Sequence, residues 1–130
     1  MAKLVGPTVL DAALTEIKTA TIISFCSAVP ANFAGIAAVK MAEVTGVTLA
    51  GALGNGTVAG GDANYYNRKF TVEAQNGMTI LADGNVVCAV LHDGTDISHV
   101  AEPIGQPIAV LTGETWDSAA FDVEIEADLT

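Results

Sequence analysis

The chain has 130 residues, the length of a single domain, and 51% of them are hydrophobic, enough for one core. Fifteen acidic residues against five Lys and Arg give a net charge of −10, which argues against nucleic acid or an anionic membrane as partner. No stretch approaches the ~20 apolar residues of a membrane span, and the first residues lack the pattern of a signal peptide. We therefore expect one domain, residues 1–130, without a cofactor.

Residues 8–19 are expected to form a short amphipathic helix. Thr8 is a suitable N-cap that follows Pro7, and Asp11 three residues later resembles a capping box. One face of the helix carries apolar side chains, namely Val9, Leu10, Ala13, Leu14 and Ile17. Such a helix must cover another element, and the rest of the sequence indicates a sheet.

After this helix the sequence predicts β-structure. Residues 21–28 are rich in Ile and Thr, residues 68–75 alternate between apolar and polar, and Asn76-Gly77 predicts a hairpin. Residues 86–93 form a near-continuous apolar run, which is typical of a central strand packed on both faces. Strands at about ten-residue spacing predict a mainly β fold, an antiparallel, jelly-roll-like β-sandwich with one N-terminal helix.

An Ala- and Gly-rich stretch, residues 31–66, is expected to be a long excursion with one or two short strands. Loops longer than ~15 residues in compact domains are usually functional or disordered, and apolar side chains are unsuited to a free loop. We therefore expect this stretch to contact another protein. The candidate interface residues, which include one aromatic residue from a later turn, are Phe33, Ile36, Val39, Met41, Tyr65, Tyr66 and Trp116. For the last three, covering an edge of the core is the alternative.

The sequence contains no clear catalytic or metal-binding signature. His92 and His99 flank a turn that contains Asp93 and Asp96, and imidazole and carboxylate groups suit several divalent metals. Asp-Gly-Thr-Asp is also common turn chemistry, however, and other ligands are too few, so we predict turn residues without a metal. The glycine-rich residues 51–62 are followed by neither the Lys nor the helix of a phosphate-binding loop. We expect no enzyme.

The sequence contains two cysteines. Cys26 and Cys88 have apolar neighbours and no cation within three residues, so we predict buried thiols without a disulfide, in a chain made in a reducing cytosol. The last strand, residues 120–129, carries four carboxylates on one face at intervals of roughly 7 Å. This strip, which is either a solvated face or a docking surface for a basic partner, consists of Asp122, Glu124, Glu126 and Asp128.

Four phrases of the sequence together resemble small structural proteins of tailed bacteriophages, in which a helix precedes a compact β domain. These phrases are LDAALTEIKTAT, IISFCSAVP, NRKFTVEAQNG and AFDVEIEAD. The resemblance implies a virion protein of the head decoration (cement) type, made in the host bacterial cytoplasm, that binds between major capsid protein subunits and stabilises the shell. It implies no catalytic residues.

Self-association is also expected, because a chain with 51% hydrophobic and 15% charged residues has surplus apolar surface. Two alternatives stay open. One is a β domain associated with a tail, neck or fibre. The other is a β module that binds a small ligand or a carbohydrate.

Overall fold

The computed structural model of the protein describes residues 6–56, 67–101 and 108–125. Within these ranges the chain is mainly β, with antiparallel sheets and short helices. The helices are α1 (Pro7–Ile17), the 3-10 helix η1 (Phe33–Gly35) and α2 (Ile36–Val39). The strands are β1 (Ile22–Cys26), β2 (Lys40–Thr45), β3 (Gly54–Asn55), β4 (Arg68–Val72), β5 (Met78–Thr79), β6 (Gly84–Val86), β7 (Cys88–His92), β8 (Ile97–Ala101), β9 (Ile108–Val110), β10 (Thr115–Trp116) and β11 (Phe121–Ile125).

The largest sheet has four antiparallel strands in the order β2-β1-β7-β8. Every residue of β7 is buried, which confirms a central strand packed on both faces for residues 88–92, whereas Val86, at the start of the predicted run, belongs to β6 and pairs with β9. A tight turn joins β7 to β8, and Gly94 in this turn has a φ of 89°, a conformation that favours glycine. β1 lies between β2 and β7, so its side chains are next to those of both neighbouring strands.

The remaining strands form three smaller sheets, in the orders β11-β4-β3, β10-β5 and β6-β9. The predicted hairpin at Asn76-Gly77 is wrong, because β4 pairs with β11 and β3 whereas β5 pairs with β10. The turn itself forms: Gly77 has a φ of 73°, and its N–H donates to Oδ1 of Asp117 at 2.7 Å. After this turn the chain enters β5, which belongs to another sheet, and does not return antiparallel to β4.

Helix α1 begins one residue earlier than predicted. Its N-cap is Gly6, whose carbonyl accepts from the N–H groups of Val9 and Leu10 at 3.0 and 3.2 Å. Pro7 occupies the first turn, where its missing N–H and fixed φ are tolerated, so Thr8 lies inside the helix and does not cap it.

One face of α1 packs on the sheets, but this face is narrower than predicted. Val9 is 60% exposed and Ala13 is also exposed. Asp11 does not form a capping box; its carboxylate receives two hydrogen bonds from Arg68 of β4, at 2.7 and 3.1 Å. The helix is thus tied to β4 by an ion pair and by the buried side chains of Leu10, Leu14 and Ile17.

The four-stranded sheet separates two cores, because successive side chains of a strand point to opposite faces. The main core joins this sheet to the other strands: the Phe25 ring of β1 makes T-shaped contacts with Trp116 and Phe121, at 5.0 and 6.4 Å. A second, smaller core on the opposite face consists of Cys26, Ile36, Cys88 and Val90.

The described part of the 31–66 stretch is packed against the rest of the chain. It contains β2, which pairs along β1, and the short β3. The register of β2 shifts between the partners of Phe25 and Cys26, and this bulge lets the consecutive residues Met41 and Ala42 both face the main core. Gly51 lies against the Thr71 carbonyl, where a Cβ atom has no room. Residues 31–56 of this stretch are therefore part of the fold.

Candidate functional site

A polar network, half of it buried, lies across three strands on one face of the four-stranded sheet and is centred on Ser24, in the middle of β1. Ser24 is fully buried, and Glu43 lies directly opposite it on β2. The Ser24 hydroxyl donates to Oε2 of Glu43 at 2.8 Å and lies 2.8 Å from Nε2 of His92 on β7. Nζ of Lys40 is 3.2 Å from the same carboxylate oxygen. The strand order therefore brings together residues from three segments that are far apart in sequence, β1, β2 and β7.

The hydrogen bonds fix the protonation of His92. The backbone N–H of Gly94 donates to Nδ1 at 3.1 Å, so Nδ1 is the acceptor and Nε2 carries the proton. Nε2 then donates to Ser24, and Ser24 donates its own proton to Glu43. Every donor in the network thus points towards the carboxylate.

Burial and hydrogen bonding set the charges of this network. Burial acts to raise the pKa of Glu43, but the hydrogen bonds from Ser24 and Lys40 outweigh it and hold the pKa below its ordinary value. Burial lowers the pKa of His92, and this effect exceeds the attraction of the Glu43 carboxylate. At neutral pH the network therefore contains the ionised Glu43 carboxylate, 3.2 Å from Nζ of Lys40, and a neutral imidazole.

This network does not have the geometry of a nucleophilic site. A catalytic serine gives its proton to an unprotonated imidazole nitrogen, and a carboxylate orients that imidazole. Here Ser24 donates to Glu43, and the nitrogen of His92 that faces Ser24 already carries a proton. Ser24 also has no exposed surface. The network satisfies buried polar groups and holds three strands together.

A short cover segment, residues 33–39, closes the face of the sheet that carries this network. Asn32 immediately precedes the segment as the N-cap of η1, and its Oδ1 accepts from the N–H of Gly35 at 3.0 Å. The Phe33 ring lies 5.5 Å from the His92 ring in a T-shaped contact, and Ile36 is buried in the second core. The cover segment therefore shields both the imidazole and the second core.

The aliphatic residues and the phenylalanine that were predicted to form the interface differ in their burial. Phe33, Ile36 and Val39 lie together on the cover segment, but Ile36 is only 5% exposed because it fills the second core. Met41 is 2% exposed because the bulge in β2 turns it into the main core. In contrast to the sequence-based expectation, Ile36 and Met41 are thus interior residues, whereas Phe33 presents an exposed edge.

The aromatic candidates differ in what the structure describes. Trp116 on β10 is half-buried and packs edge-on against Phe25, so it covers an edge of the main core. Tyr65 and Tyr66 lie outside the described residues.

The two histidines of the proposed turn lie on opposite faces of the sheet. His99 is paired with Leu91, a main-core residue, whereas His92 points into the network on the other face. Asp93 accepts hydrogen bonds from two backbone N–H groups of the turn, those of Thr95 and Asp96, each at 2.8 Å. In the part of the chain that the structure describes, no three His, Cys, Asp or Glu side chains converge as metal ligands.

The acidic strip on β11 is partly neutralised by the chain itself. Asp122 accepts from the Thr71 hydroxyl at 2.7 Å and from Nζ of Lys69 at 3.1 Å. These two hydrogen bonds, that of Thr71 first, lower the pKa of Asp122. Glu126 and Asp128 lie outside the described residues. A basic partner is therefore not required for Asp122.

Cys26 and Cys88 lie directly opposite one another on β1 and β7. Both are buried and neither is in a disulfide, as predicted. Sγ of Cys88 lies 3.5 Å from the Ala28 carbonyl oxygen. A hydrogen bond with Cys88, together with burial, raises the pKa of the Cys26 thiol. Their proximity was not predicted, because it depends on the register of two strands that are distant in sequence.

An open groove of about 490 Å³ runs along the outer edge of β2. One wall contains the Lys40–Glu43 ion pair, and the other is formed by the loop into β5 and by Leu81, whose N–H donates to the Met41 carbonyl. Polar groups are contributed by Thr45, Asn76 and Thr79. The described residues that line the groove include no aromatic ring.

Sequence reasoning missed the Ser24 network, although one signal was present. A serine in the centre of an apolar strand must find a hydrogen-bond partner once it is buried. The identity of the partners, Glu43 and His92, follows only from the strand order β2-β1-β7.

Comparison of the chain with protein-family models, with curated proteins and with solved structures finds no match. In the described ranges, no helix is both long and apolar enough to cross a membrane. Hypotheses about function therefore rest on the geometry of this chain and on its sequence.

Proposed function

We propose that the protein is a non-enzymatic structural protein that binds between subunits of a larger protein assembly, as a decoration (cement) protein on the head of a tailed bacteriophage. Its partner is then the major capsid protein, its location is the virion, and neighbouring copies associate with one another. We further propose that its antiparallel sheets form a sandwich. The contact between Phe25 of the four-stranded sheet and Phe121 of the β11-β4-β3 sheet supports this arrangement.

The observation that carries the proposal is an exposed apolar patch around the β6-β9 pair. The patch consists of Leu81 and Leu111, which are 52% and 60% exposed. Leu81 and Leu111 flank the hydrogen bond by which Asp83 holds the N–H of Thr112 at 2.7 Å, so a fixed turn presents them. Burying a leucine side chain contributes about 1.5–3 kcal/mol, and modest contacts repeated over many symmetric sites stabilise a shell.

The hydrogen-bond directions in the Ser24 network agree with a non-enzymatic role. Ser24 is buried, its hydroxyl proton is directed to Glu43, and the facing nitrogen of His92 is protonated. The network stabilises the packing of β2, β1 and β7 in the four-stranded sheet.

The test is incorporation into particles. The chain is expressed together with the genes that flank its own, assembled particles are isolated on a density gradient, and copies per particle are counted by quantitative mass spectrometry. We expect a high copy number that follows the symmetry of the shell. A few copies per particle favour the tail, neck or fibre alternative, and absence from particles contradicts the proposal.

Two variants locate the contact. Leu81→Asp and Leu111→Asp are expected to lower occupancy without lowering the melting temperature, because both side chains are exposed in the isolated domain. Val9→Asp is the matched control, since Val9 is as exposed as Leu111 but lies on α1. Full occupancy of both leucine variants contradicts a role of the patch.

The groove along β2 favours a second candidate function, binding of a small ligand. Its volume of about 490 Å³ lies in the range of ligand sites, and Lys40, Glu43 and Thr79 supply polar groups. A thermal-shift screen of small polar metabolites and sugars tests this function. A hit that is lost in Thr79→Trp, which fills the groove, supports it, and a screen without hits contradicts it.

A further inference from the structure

We infer that Cys26 and Cys88 are a disulfide-forming site, at which an oxidant of the disulfide class converts two buried thiols into a cross-strand bridge between β1 and β7. The site belongs to the isolated chain, so the inference goes beyond the proposed function and does not depend on it.

The strand register places the two residues for this reaction. Cys26 and Cys88 are directly opposed partners in the antiparallel β1-β7 pair. The Cβ atoms of opposed residues lie about 4.5–5.5 Å apart and their Cα atoms about 4.5–5.5 Å apart. A disulfide requires Cα atoms about 4.4–6.8 Å apart and Cβ atoms about 3.5–4.5 Å apart. The backbone therefore needs only a small adjustment.

The side chains already point to the same side of the sheet. Both belong to the second core, together with Ile36 and Val90. The Cys26 thiol donates to the Ser24 carbonyl oxygen on its own strand, with Sγ 3.6 Å from that oxygen. Sγ of Cys88 also lies 3.9 Å from the carbonyl oxygen of Cys26, so its thiol is held beside the opposite residue.

The cover segment determines when the thiols react. Both residues are fully buried beneath it, and Ile36 of the cover segment packs directly against them. Hydrogen bonding and burial also raise the pKa of the Cys26 thiol, which disfavours the reactive thiolate. In a reducing compartment the pair therefore stays reduced, and oxidation proceeds through opening of the cover segment.

The chemistry is a thiol–disulfide exchange in two steps. When the cover opens, one thiol loses its proton, and its thiolate attacks a sulfur of oxidised glutathione, which forms a mixed disulfide and releases one glutathione thiolate. The second protein thiol, also deprotonated, then attacks the mixed disulfide at the protein sulfur and releases the second glutathione. The protein loses two hydrogen atoms, and glutathione disulfide is reduced to two glutathione molecules.

The experiment treats the folded protein with oxidised glutathione and follows its intact mass. We expect a product lighter by two hydrogen atoms, with a Cys26–Cys88 linkage in the unreduced peptide map. The bridge spans 62 positions of the sequence, so the oxidised form is expected to melt several degrees higher than the reduced form. Cys26→Ser and Cys88→Ser are matched controls, which cannot form the product.

A pair of cover variants tests the route. Phe33→Ala is expected to raise the oxidation rate severalfold, because it removes the ring that packs on His92, whereas Val9→Ala on α1 leaves the rate unchanged. The inference is overturned if the folded wild type yields only mixed disulfides with glutathione or linked dimers, or if the bridge forms only after denaturant has unfolded the chain. Equal rates in the two alanine variants overturn the role of the cover segment.

Discussion

Replacing Ser24 by Ala tests the buried network at its centre. The change removes the acceptor of the His92 Nε2 proton and a donor of the Glu43 carboxylate, although Lys40 continues to bind that carboxylate. A buried donor left without a partner costs about 1–3 kcal/mol, and the lost hydrogen bond to the charged group adds to this cost. We expect Ser24→Ala to lower the free energy of unfolding by about 2–4 kcal/mol, a large part of a typical domain's stability.

Urea unfolding measured by the fluorescence of Trp116, the single tryptophan, gives this value, because its ring packs on Phe25 in the main core. Combining Ser24→Ala with His92→Phe measures the interaction energy between the two side chains. Phenylalanine preserves the ring that contacts Phe33 but removes both nitrogens. We expect the double variant to lose about 1–2 kcal/mol less free energy of unfolding than the sum of the two single variants. A loss below about 0.5 kcal/mol in Ser24→Ala, or strict additivity, refutes the network.

Three other predictions follow from the same contacts. Burial holds the pKa of His92 below its ordinary 6.5, so the unfolded chain binds more protons than the folded chain near and below that pH. The contribution of His92 to the free energy of unfolding is therefore complete above pH 6.5 and is lost as the pH falls below it. Urea titrations are expected to show a smaller loss in His92→Phe. Asp11→Asn breaks the ion pair with Arg68 and is expected to lower the midpoint of urea unfolding slightly, with a smaller effect in high salt. Ile36→Asp is expected to lower the melting temperature measured by circular dichroism much more than Phe33→Asp does, and equal losses contradict the division between buried Ile36 and exposed Phe33.

The sequence predicts those elements whose residue pattern is local. The mainly β character follows from β-branched runs between turn residues, and the burial of β7 follows from its unbroken apolar run. The turn at Gly77 was also recognisable, but its partners were not. A hairpin requires the two flanking strands to pair with one another, and here Asp117 and Ser118, some forty residues later, hold the turn region instead.

The candidate site was less accessible to sequence reasoning, because its parts meet only through strand order and register. Met41 has the same apolar character whether it faces a partner or the core, and the bulge that turns it inward depends on the register of β1 against β2. The facing of Cys26 and Cys88 depends in the same way on the register of β1 against β7. His92 was recognised as a polar residue of interest, but its partner Ser24 lies on another strand.

One structural feature links the histidine and the thiols: both lie on the face of the sheet that the short cover segment closes. The main core is covered by several sheets and α1, whereas this face is covered by residues 33–39, two short helical turns. Isolated helices of this length are marginal in water, so the cover is held by Ile36 and Phe33 packing on the sheet. Regions with few buried apolar contacts open at a lower free energy than the whole domain. Protonation of His92 and oxidation of the thiols should therefore share one opening step, and Phe33→Ala should accelerate both the oxidation and the hydrogen exchange of the Val39 amide, while the Leu91 amide of β7 keeps its protection.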